Sequence, residues 1–303
     1  MKKLHTLLAA SAVGILALSA CGQSGTPETG GGGGEGGGDT AAEAPQYEVA
    51  SDVDLADSPT WSAANDAGTL KVGVKFDQPG LGNKDATADA PEGFDIEIAK
   101  ITAAALGFEP DQIEWVETVS ANREPFLQQG NVDLVVATYT INDERKEVVD
   151  FAGPYYVAGQ DLLVAEDSEI AGPDDLAGTT VCSVDGSTPA QRIQDEYGDA
   201  ELVTYDAYSK CVEDLQTGNV DAVTTDDAIL RGYAAQYEGE FKVVGEPFSD
   251  EPYGIGLPKD DQALRDAVND ALEQAGEDGT WTEAFEYTLG DSSGVEQPAV
   301  DRY

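Results

Sequence analysis

A seven-residue segment occurs twice in the chain with one change between the copies. Residues 127–133 read L-Q-Q-G-N-V-D, and residues 215–221 read L-Q-T-G-N-V-D. In each copy a glycine stands where a helix would end, and the apolar residues that follow are typical of a buried strand. Two helix-turn-strand units of the same kind predict two lobes of the same architecture. A single match of this length also leaves open two similar turns in otherwise different surroundings.

Strand patterns alternate with helix patterns over most of the chain. The helical spacing of residues 94–106 ends at Gly107, and residues 132–137 form an apolar run that predicts a buried strand. We also expect strands at 70–74, 113–116 and 179–184, and helices at 123–129 and 228–233. This order predicts an α/β fold in which each lobe is an open, mostly parallel sheet with helices on both faces.

The start of the chain has the pattern of an export signal. Lys2 and Lys3 precede an apolar segment over 7–18, and the sequence L-S-A-C then ends at Cys21. This ending resembles the lipobox of bacterial lipoproteins, so we expect residues 1–20 to be removed and Cys21 to carry the lipid. The protein would then work outside the cytoplasm, anchored to the outer face of the cell membrane.

The segment after Cys21 is rich in glycine and small polar residues. Because it cannot bury a core, it predicts a flexible tether that occupies 21–50 together with the lipidated cysteine. We expect the remaining organisation to be lobe 1 over 51–159, lobe 2 over 160–250, a return segment of lobe 1 over 251–291, and a polar tail over 292–303.

Charge and composition exclude several classes of function. Removal of the signal would also remove His5, the only histidine of the chain. Without it no Ser-His-Asp triad, Cys-His pair or histidine metal ligand can form, so we expect no catalytic residue, no metal and no cofactor. The formal net charge is −43. We therefore expect no nucleic-acid partner, because nucleic acids bind basic surfaces.

Two cysteines remain once Cys21 carries a lipid. Cys182 and Cys211 form an even pair in an oxidising compartment, which predicts a disulfide. Two free buried thiols are the alternative.

Hydroxyl groups and an arginine follow the predicted strand over 132–137. Thr138, Tyr139, Thr140 and Arg145 stand where ligands bind in open α/β sheets, at the carboxyl end of a strand. The planar guanidinium suits a carboxylate held by two hydrogen bonds. The alternative is a surface arginine that pairs with an acidic residue across a helix turn.

A second candidate segment lies between a predicted strand and a helix. Gly186, Ser187 and Thr188 precede Pro189, which we expect to be the first helical residue, with Ser187 or Thr188 as the N-cap. The free backbone N–H groups of such a helix start bind anions. The alternative is an ordinary capped helix.

The repeat supplies a third candidate. Asp226 lies five residues beyond the second copy, as Thr138 lies five residues beyond the first. The two side chains would face each other across a cleft between the lobes, although Asp226 or Asp227 could instead be a plain helix cap. Arg145 with the helix amides suits one carboxylate and Asp226 suits one ammonium, which together describe the α-carbon end of an amino acid.

Longer motifs carry a resemblance to a known family. Over about 60–290 the chain resembles the family 3 extracellular solute-binding proteins of ABC transporters. The segments that carry this resemblance are G-F-D-I-E-I-A-K (93–100), A-T-Y-T-I-N-D-E-R-K-E-V-V-D-F-A-G-P-Y-Y (137–156), G-S-T (186–188) and V-D-A-V-T-T-D (220–226).

The resemblance implies a two-lobed, periplasmic-binding-protein-like fold of type II. Its two crossing hinge strands would lie at about 157–164 and 253–257. It also implies that Thr140, Arg145 and Asp226, with the amides of the G-S-T segment, hold the α-carboxylate and α-ammonium groups of an amino acid.

Further segments resemble a narrower group, the glutamate-binding lipoproteins of actinobacterial uptake systems. These are V-K-F-D-Q-P-G-L-G (74–82), C-S-V-D-G-S-T-P-A-Q (182–191) and Y-G-I-G-L-P-K-D-D-Q (253–262). That group has a cysteine pair at the positions of the two cysteines here.

In this group, the residues that follow the first predicted strand are candidates to contact the side chain of the ligand. Lys75 would meet a side-chain carboxylate, Phe76 or Tyr156 would pack on the aliphatic part, and Gln78 lies on the same segment as Lys75. The alternative for Lys75 is an edge lysine whose ammonium reaches solvent.

The sequence therefore predicts a lipid-anchored monomer that binds a polar or acidic L-amino acid and passes it to the permease subunits of an ABC importer. Glutamate is the expected ligand, with aspartate, glutamine and asparagine as alternatives. A sensor that feeds a signalling partner would use the same pocket. A dehydratase, known among a few relatives of the fold, would need a positioned acid and base beyond the residues assigned to binding.

Overall fold

The structure is a computed structural model, and it describes residues 44–303. The expected signal over 1–20, the expected lipid-bearing Cys21 and the expected tether as far as residue 43 lie outside the described residues. Across the described range, no helix combines the length and the apolar character that crossing a membrane requires.

Helices and strands alternate along the described chain. The helices are α1 (Pro59–Ala67), α2 (Phe94–Ala105), α3 (Arg123–Gln129), α4 (Asp143–Lys146), α5 (Thr188–Glu196), α6 (Tyr208–Thr217), α7 (Asp227–Gln236), α8 (Gln262–Asp278) and α9 (Thr280–Leu289). The strands are β1 (Leu70–Val74), β2 (Asp77–Gln78), β3 (Gly82–Asn83), β4 (Ile113–Glu117), β5 (Leu134–Val135), β6 (Asp150–Ala158), β7 (Gln160–Ala165), β8 (Thr180–Val184), β9 (Glu201–Tyr205), β10 (Ala222–Asp226), β11 (Phe241–Val243) and β12 (Glu251–Leu257).

The strands form two five-stranded sheets with the same topology, and β2 pairs with β3 in a separate hairpin. The order is β4-β1-β5-β12-β6 in the first sheet and β9-β8-β10-β7-β11 in the second. The two-lobed α/β fold is as the sequence predicts. The sheets are mixed rather than mostly parallel, since β12 and β6, like β7 and β11, pair antiparallel. The chain leaves the first sheet along β6 and returns to it along β12, and it enters the second sheet along β7 and leaves it along β11, so the two strands of each pair run in opposite directions.

The repeated segment occupies equivalent positions in the two sheets. One copy joins α3 to β5 and the other joins α6 to β10, and both strands are central in their sheets. Asp133 Oδ2 accepts a hydrogen bond from Lys71 N, and Asp221 Oδ2 accepts one from Thr180 N, each at 2.8 Å. The last residue of each copy therefore fixes the strand that follows it against the preceding parallel strand.

The predicted buried strand over 132–137 is shorter in the structure. β5 contains Leu134–Val135, and Val136 N adds one hydrogen bond to Gly73 O at 2.8 Å. The ladder stops there because the backbone turns at Thr138, whose φ is 45°. This turn brings the residues after the strand toward the second sheet.

The chain passes between the sheets twice. The first crossing is at Gly159, between β6 and β7, inside the expected range of 157–164. The second runs over residues 244–250, between β11 and β12. Residues 253–257, where it was expected, instead pair with β6 and β5 inside the first sheet, because β12 begins its pairing at Glu251.

Large aromatic side chains form the core of the first sheet. Trp281 and Phe94 meet edge to face, with ring centroids 5.6 Å apart. Trp281 Nε1 donates a hydrogen bond to Tyr155 O at 2.8 Å. This packing fixes α2 and β6 against each other, and both elements carry polar side chains toward the second sheet.

Two segments beyond the expected lobes also pack on the first sheet. Tyr47, at the end of the expected tether, donates its hydroxyl to Glu97 Oε2 at 2.7 Å. Tyr303, in the expected polar tail, accepts a hydrogen bond from Phe151 N at 2.9 Å, and Lys146 Nζ lies 3.9 Å from its ring centroid. The tail therefore covers part of β6, the edge strand whose backbone groups would otherwise be open.

A disulfide joins Cys182 of β8 to Cys211 of α6, which confirms the predicted pair. Both residues are fully buried. The bridge ties a helix to the strand beside it, and closing a loop of this length stabilises a fold by about 3–4 kcal/mol in the chain-entropy model.

Candidate ligand-binding cleft

The two lobes meet at the carboxyl ends of their central strands. Arg123 Nη2 and Arg145 Nη2, from the first lobe, each donate a hydrogen bond to Gly186 O of the second lobe at 3.0 Å. Thr140 Oγ1 lies 3.4 Å from Thr188 Oγ1. The structure therefore brings together the hydroxyl-lined strand end and the G-S-T segment, in an arrangement in which the cleft is closed.

Thr138 is held in an unusual backbone conformation by buried partners. Its positive φ is uncommon for a residue with a branched side chain. Thr138 N donates to Asp95 Oδ2 at 2.8 Å, and Thr138 Oγ1 donates to Gln78 Oε1 at 3.2 Å. Tyr155 donates its hydroxyl to Asp95 Oδ1 at 2.6 Å, and burial raises the pKa of Asp95 to about 6.

Arg145 is buried rather than on the surface. Its side chain lies against Thr140 O at 2.7 Å from Nη1 and against Glu124 Oε1 at 3.2 Å from Nε. Burial lowers the pKa of Arg145 to about 10, and the neighbouring Arg123 adds to the effect. The acidic partner thus comes from α3 rather than from a helix turn of the same segment.

Arg123 is a cleft residue that the sequence reasoning missed. It is buried and donates hydrogen bonds to Thr138 O at 3.0 Å and to Ala137 O at 3.2 Å, in addition to its contact with Gly186. Its guanidinium carbon lies 4.4 Å from the ring centroid of Tyr139, and that of Arg145 lies 5.0 Å from the same centroid. Tyr139 therefore supports both cations.

A signal for Arg123 is present in the sequence. The residue begins a helix that follows β4, so it lies at the same edge of the sheet as the residues after β5. A cation at a helix start is also unfavourable for the helix dipole, and only 16 basic residues occur in the chain. Positively charged residues are rare in this chain, and this one is unfavourable for the helix that it begins. We therefore expect it to make its contacts outside that helix, at the ligand-binding edge of the sheet.

Lys75 follows β1 at the same edge and is only 4% exposed. Its Nζ donates to Ser120 Oγ at 2.8 Å. Burial lowers the pKa of Lys75 to about 7, and the charge of Arg123 lowers it further. The alternative of an edge lysine whose ammonium reaches solvent is therefore wrong for Lys75.

The expected aromatic neighbours of the ligand lie farther out. Phe76 is half-buried, and Lys84 Nζ lies 5.2 Å from its ring centroid. Tyr156 lines a different groove, of about 750 Å³, with Pro79 and Phe285. Its ring packs 5.8 Å from that of Tyr253, so Tyr156 supports a residue of the cleft rather than lining the cleft with Lys75.

Asp226 is a buried carboxylate with one free oxygen. Oδ2 accepts a hydrogen bond from the Tyr253 hydroxyl at 2.6 Å, whereas Oδ1 has no partner among residues 44–303. Burial raises the pKa of Asp226 to about 7, and the carboxylate of Glu251 adds to the effect. Asp226 is the N-cap residue of α7, but its side chain makes no capping hydrogen bond, so the plain-cap alternative does not account for it.

Gln78 has a second free polar atom in this region. Its side chain is fully buried, and its Nε2 has no hydrogen-bond partner in the described part of the chain. Buried polar atoms without partners are rare in folded proteins, and they suit a site that receives a polar ligand.

Ser187 is the N-cap of α5. Its Oγ accepts a hydrogen bond from Ala190 N at 3.1 Å, so the helix begins at Thr188 and Pro189 is its second residue rather than its first. Gly186 has a φ of 76°, and a Cβ there would lie 2.7 Å from Ala121 Cα of the other lobe. The two lobes can approach this closely because the position carries no side chain.

The cleft therefore has two charged sides. Lys75, Arg123 and Arg145 form a cationic side, and Asp226 with Glu251 forms an anionic one. A groove of about 830 Å³ opens beside them and is lined from both lobes by residues that include Arg145 and Ser187. This distribution of charge can hold the carboxylate groups of a small molecule on one side of the cleft and an ammonium group on the other.

Comparison with known proteins assigns the chain to a class. Residues 70–291 match the bacterial extracellular solute-binding proteins, family 3. The chain belongs to this family, which confirms the assignment that its motifs predicted.

Individual relatives are consistent with that class. The glutamate-binding protein GluB of Corynebacterium glutamicum is 47% identical over 77% of this chain and 82% of its own. The ABC transporter glutamine-binding protein GlnH of Bacillus subtilis is 35% identical over 94% of this chain and 96% of its own. Among solved structures, an ancestral arginine-binding protein bound to glutamine is 37% identical, with a TM-score of 0.69 over 74% of this chain and 99% of that one.

Proposed function

We propose that the protein is the substrate-binding component of an ABC importer and that its lobes close on an L-amino acid, with glutamate as the preferred ligand. The observation that carries the proposal is the free, buried Oδ1 of Asp226 in a cleft that also holds three buried cations. The names of the relatives, as binding proteins for glutamate and glutamine, support a non-enzymatic role.

The ammonium group of the ligand binds Asp226. An unpaired carboxylate in a buried site costs free energy, which is why its pKa rises to about 7. A ligand ammonium restores a partner for Oδ1 and favours the ionised form. The Tyr253 hydroxyl already holds Oδ2, so the free oxygen is oriented before the ligand arrives.

The α-carboxylate binds Arg145 and the start of α5. Arg145 Nη2 donates a hydrogen bond to the Gly186 carbonyl. A carboxylate is the stronger partner for a guanidinium, because it carries a full charge and matches the planar fork. The backbone N–H groups that follow Gly186 and the hydroxyl of Thr140 complete the donor set.

The ligand side chain extends toward Lys75 and Arg123. A second carboxylate there would pair with Lys75 and raise its pKa from about 7, whereas the amide of glutamine carries no charge to do so. This difference favours glutamate over glutamine and asparagine. Aspartate carries the same charge on a shorter side chain, and so we expect it to bind more weakly.

The proposal also states where the protein is located and how its chain is divided between the two lobes. The export signal over 1–20 and the lipobox ending at Cys21 support an anchor on the outer face of the membrane, and the family is extracellular by description. Lobe 1 comprises 51–159 and 251–291, and lobe 2 comprises 160–250. The protein works as a monomer that delivers its ligand to permease subunits.

A panel of the common amino acids, assayed by thermal shift and then by isothermal titration calorimetry, tests the ligand assignment. We expect glutamate to give the largest stabilisation, with aspartate and glutamine following. Stabilisation by a basic or apolar amino acid in preference to glutamate would contradict the proposal.

A further inference from the structure

A side chain of the first lobe caps a helix of the second. Asp77 lies in β2, and its Oδ2 accepts hydrogen bonds from Tyr208 N at 2.8 Å and from Ser209 N at 3.4 Å. These are the first two residues of α6. This contact between the lobes involves none of the residues assigned above to the ligand.

The helix has no cap of its own. Its N-cap residue is Ala207, which carries no acceptor in its side chain, and its first turn contains no acidic residue. The first N–H groups of a helix have no partner within the helix, and they carry the positive end of its dipole. A carboxylate is the group that satisfies both needs, and here it comes from the opposite lobe.

Two more contacts surround this cap. The Tyr233 hydroxyl of α7 donates to Asp77 O. Next to it, Gly232 approaches Pro79 so closely that a Cβ at Gly232 would lie 2.2 Å from Pro79 O. In the closed arrangement the β2–β3 hairpin therefore fits against the start of α6 and the middle of α7.

We propose that Asp77 is a closure latch, a residue that stabilises the closed state and thereby sets ligand affinity without contacting the ligand. This inference rests on the proposed function, since it assumes that the lobes close on an amino acid. Asp77 directly precedes Gln78, the buried residue with a free amide in the cleft, so the latch and the site share one short strand.

The latch has a kinetic signature. When the lobes separate, Asp77 leaves Tyr208 N and Ser209 N, and α6 loses its cap while the rest of the lobe is unchanged. The closed complex is stabilised relative to the open one by the free energy of that cap. Loss of the cap therefore acts on ligand release more than on ligand association.

The test measures glutamate binding and release, by calorimetry and stopped-flow fluorescence, for purified Asp77→Ala, Asp77→Asn and wild-type protein. Loss of a helix cap corresponds to a dissociation constant on the order of tenfold higher for Asp77→Ala, carried by a faster release rate. Asp77→Asn keeps an oxygen acceptor and should recover most of the affinity. Asp85→Ala is the matched control. Asp85 is an exposed residue that follows the same hairpin, and its substitution removes the same charge.

A second measurement reads the cap itself, in protein saturated with glutamate, where the lobes are closed. Hydrogen exchange of the Tyr208 and Ser209 amides should be faster in Asp77→Ala than in Asp85→Ala, although both substitutions are in the other lobe. Gly232→Ala should hold the lobes apart at Pro79 and weaken glutamate binding while both lobes stay folded by circular dichroism.

The outcomes separate the two proposals. If no amino acid binds the wild-type protein, the proposed function fails and the latch, which rests on it, fails with it. Glutamate binding and release in Asp77→Ala that match the wild type, or exchange that is unchanged at both amides, would overturn the latch. An equal loss in Asp85→Ala would overturn it as well, because the effect would then follow from charge alone.

Discussion

Replacing Lys75 by methionine should convert a glutamate site into one that no longer distinguishes glutamate from glutamine. Methionine keeps the apolar stem and removes the ammonium that lies 2.8 Å from Ser120 Oγ. Truncating one partner of a buried, hydrogen-bonded charge pair costs about 2–5 kcal/mol, so glutamate affinity should fall by at least about 30-fold. A neutral amide loses an ordinary hydrogen bond, about 0.5–1.5 kcal/mol, which is roughly a two- to tenfold loss for glutamine.

The pH dependence of ligand affinity in the wild-type protein is an independent test of the role of Lys75. Lys75 has a pKa of about 7 in the free protein, and pairing with a ligand carboxylate would raise it. The ratio of glutamate affinity to glutamine affinity should therefore be highest with Lys75 charged, near and below neutral pH, and should fall as the pH rises above 7. Comparing the two ligands cancels the titration of Asp226 and of the ligand ammonium, which both ligands share.

Calorimetry with both ligands, between pH 6 and pH 9, measures these effects. Lys71→Met is the matched control, since Lys71 is in the adjoining strand and its removal changes the net charge equally. Equal losses for glutamate and glutamine in Lys75→Met, or a ratio of the two affinities that does not change with pH, would refute the assignment of Lys75 to the ligand side chain.

Asp226→Asn should weaken every amino-acid ligand by about 30-fold or more, because a ligand ammonium loses its charge partner, and calorimetry checks this. The raised pKa of Asp226 means that the folded state holds its proton more tightly than the unfolded state, so ionisation of this carboxyl group destabilises the protein progressively from about pH 4 to about pH 7, and fully above that. Any gain in ligand-free thermal stability of Asp226→Asn over the wild type should therefore shrink between pH 8 and pH 5; a constant difference would contradict the shift. Replacing Cys182 and Cys211 together by alanine should lower the free energy of unfolding by about 3 kcal/mol in urea titrations. Unchanged unfolding there would show that the bridge contributes nothing to stability.

Much of the fold could be predicted because its signals are local. The helix ends at glycine, the period of the apolar residues and the repeated segment all act within a few residues of where they appear. The repeat was informative for a physical reason that the structure supplies, since Asp133 and Asp221 make the same backbone contact at the start of equivalent strands. The mixed character of the sheets was not predicted, because strand direction depends on which sheet the chain enters next.

The residues of the candidate site also divide into those that could be predicted from the sequence and those that could not. Thr140, Arg145, Gly186 and Asp226 could be chosen from the sequence because a strand end or a helix start marks each of them. Arg123 was missed, since its role arises from contacts with Thr138 and Gly186 that lie far along the chain.

The sequence by itself determined the alternation of elements, the two-lobed plan, the cysteine pair and the chemical character of the binding groups. Tertiary structure alone decided which groups are buried, which of them lack a partner and which lobe supplies each contact. A pKa of about 7 for Lys75 and for Asp226 follows from burial in a closed cleft, and no local pattern encodes that environment. Tertiary structure also decides how α6 is capped. The sequence shows that the start of this helix lacks an acceptor of its own, but it does not identify Asp77, the distant residue that supplies one.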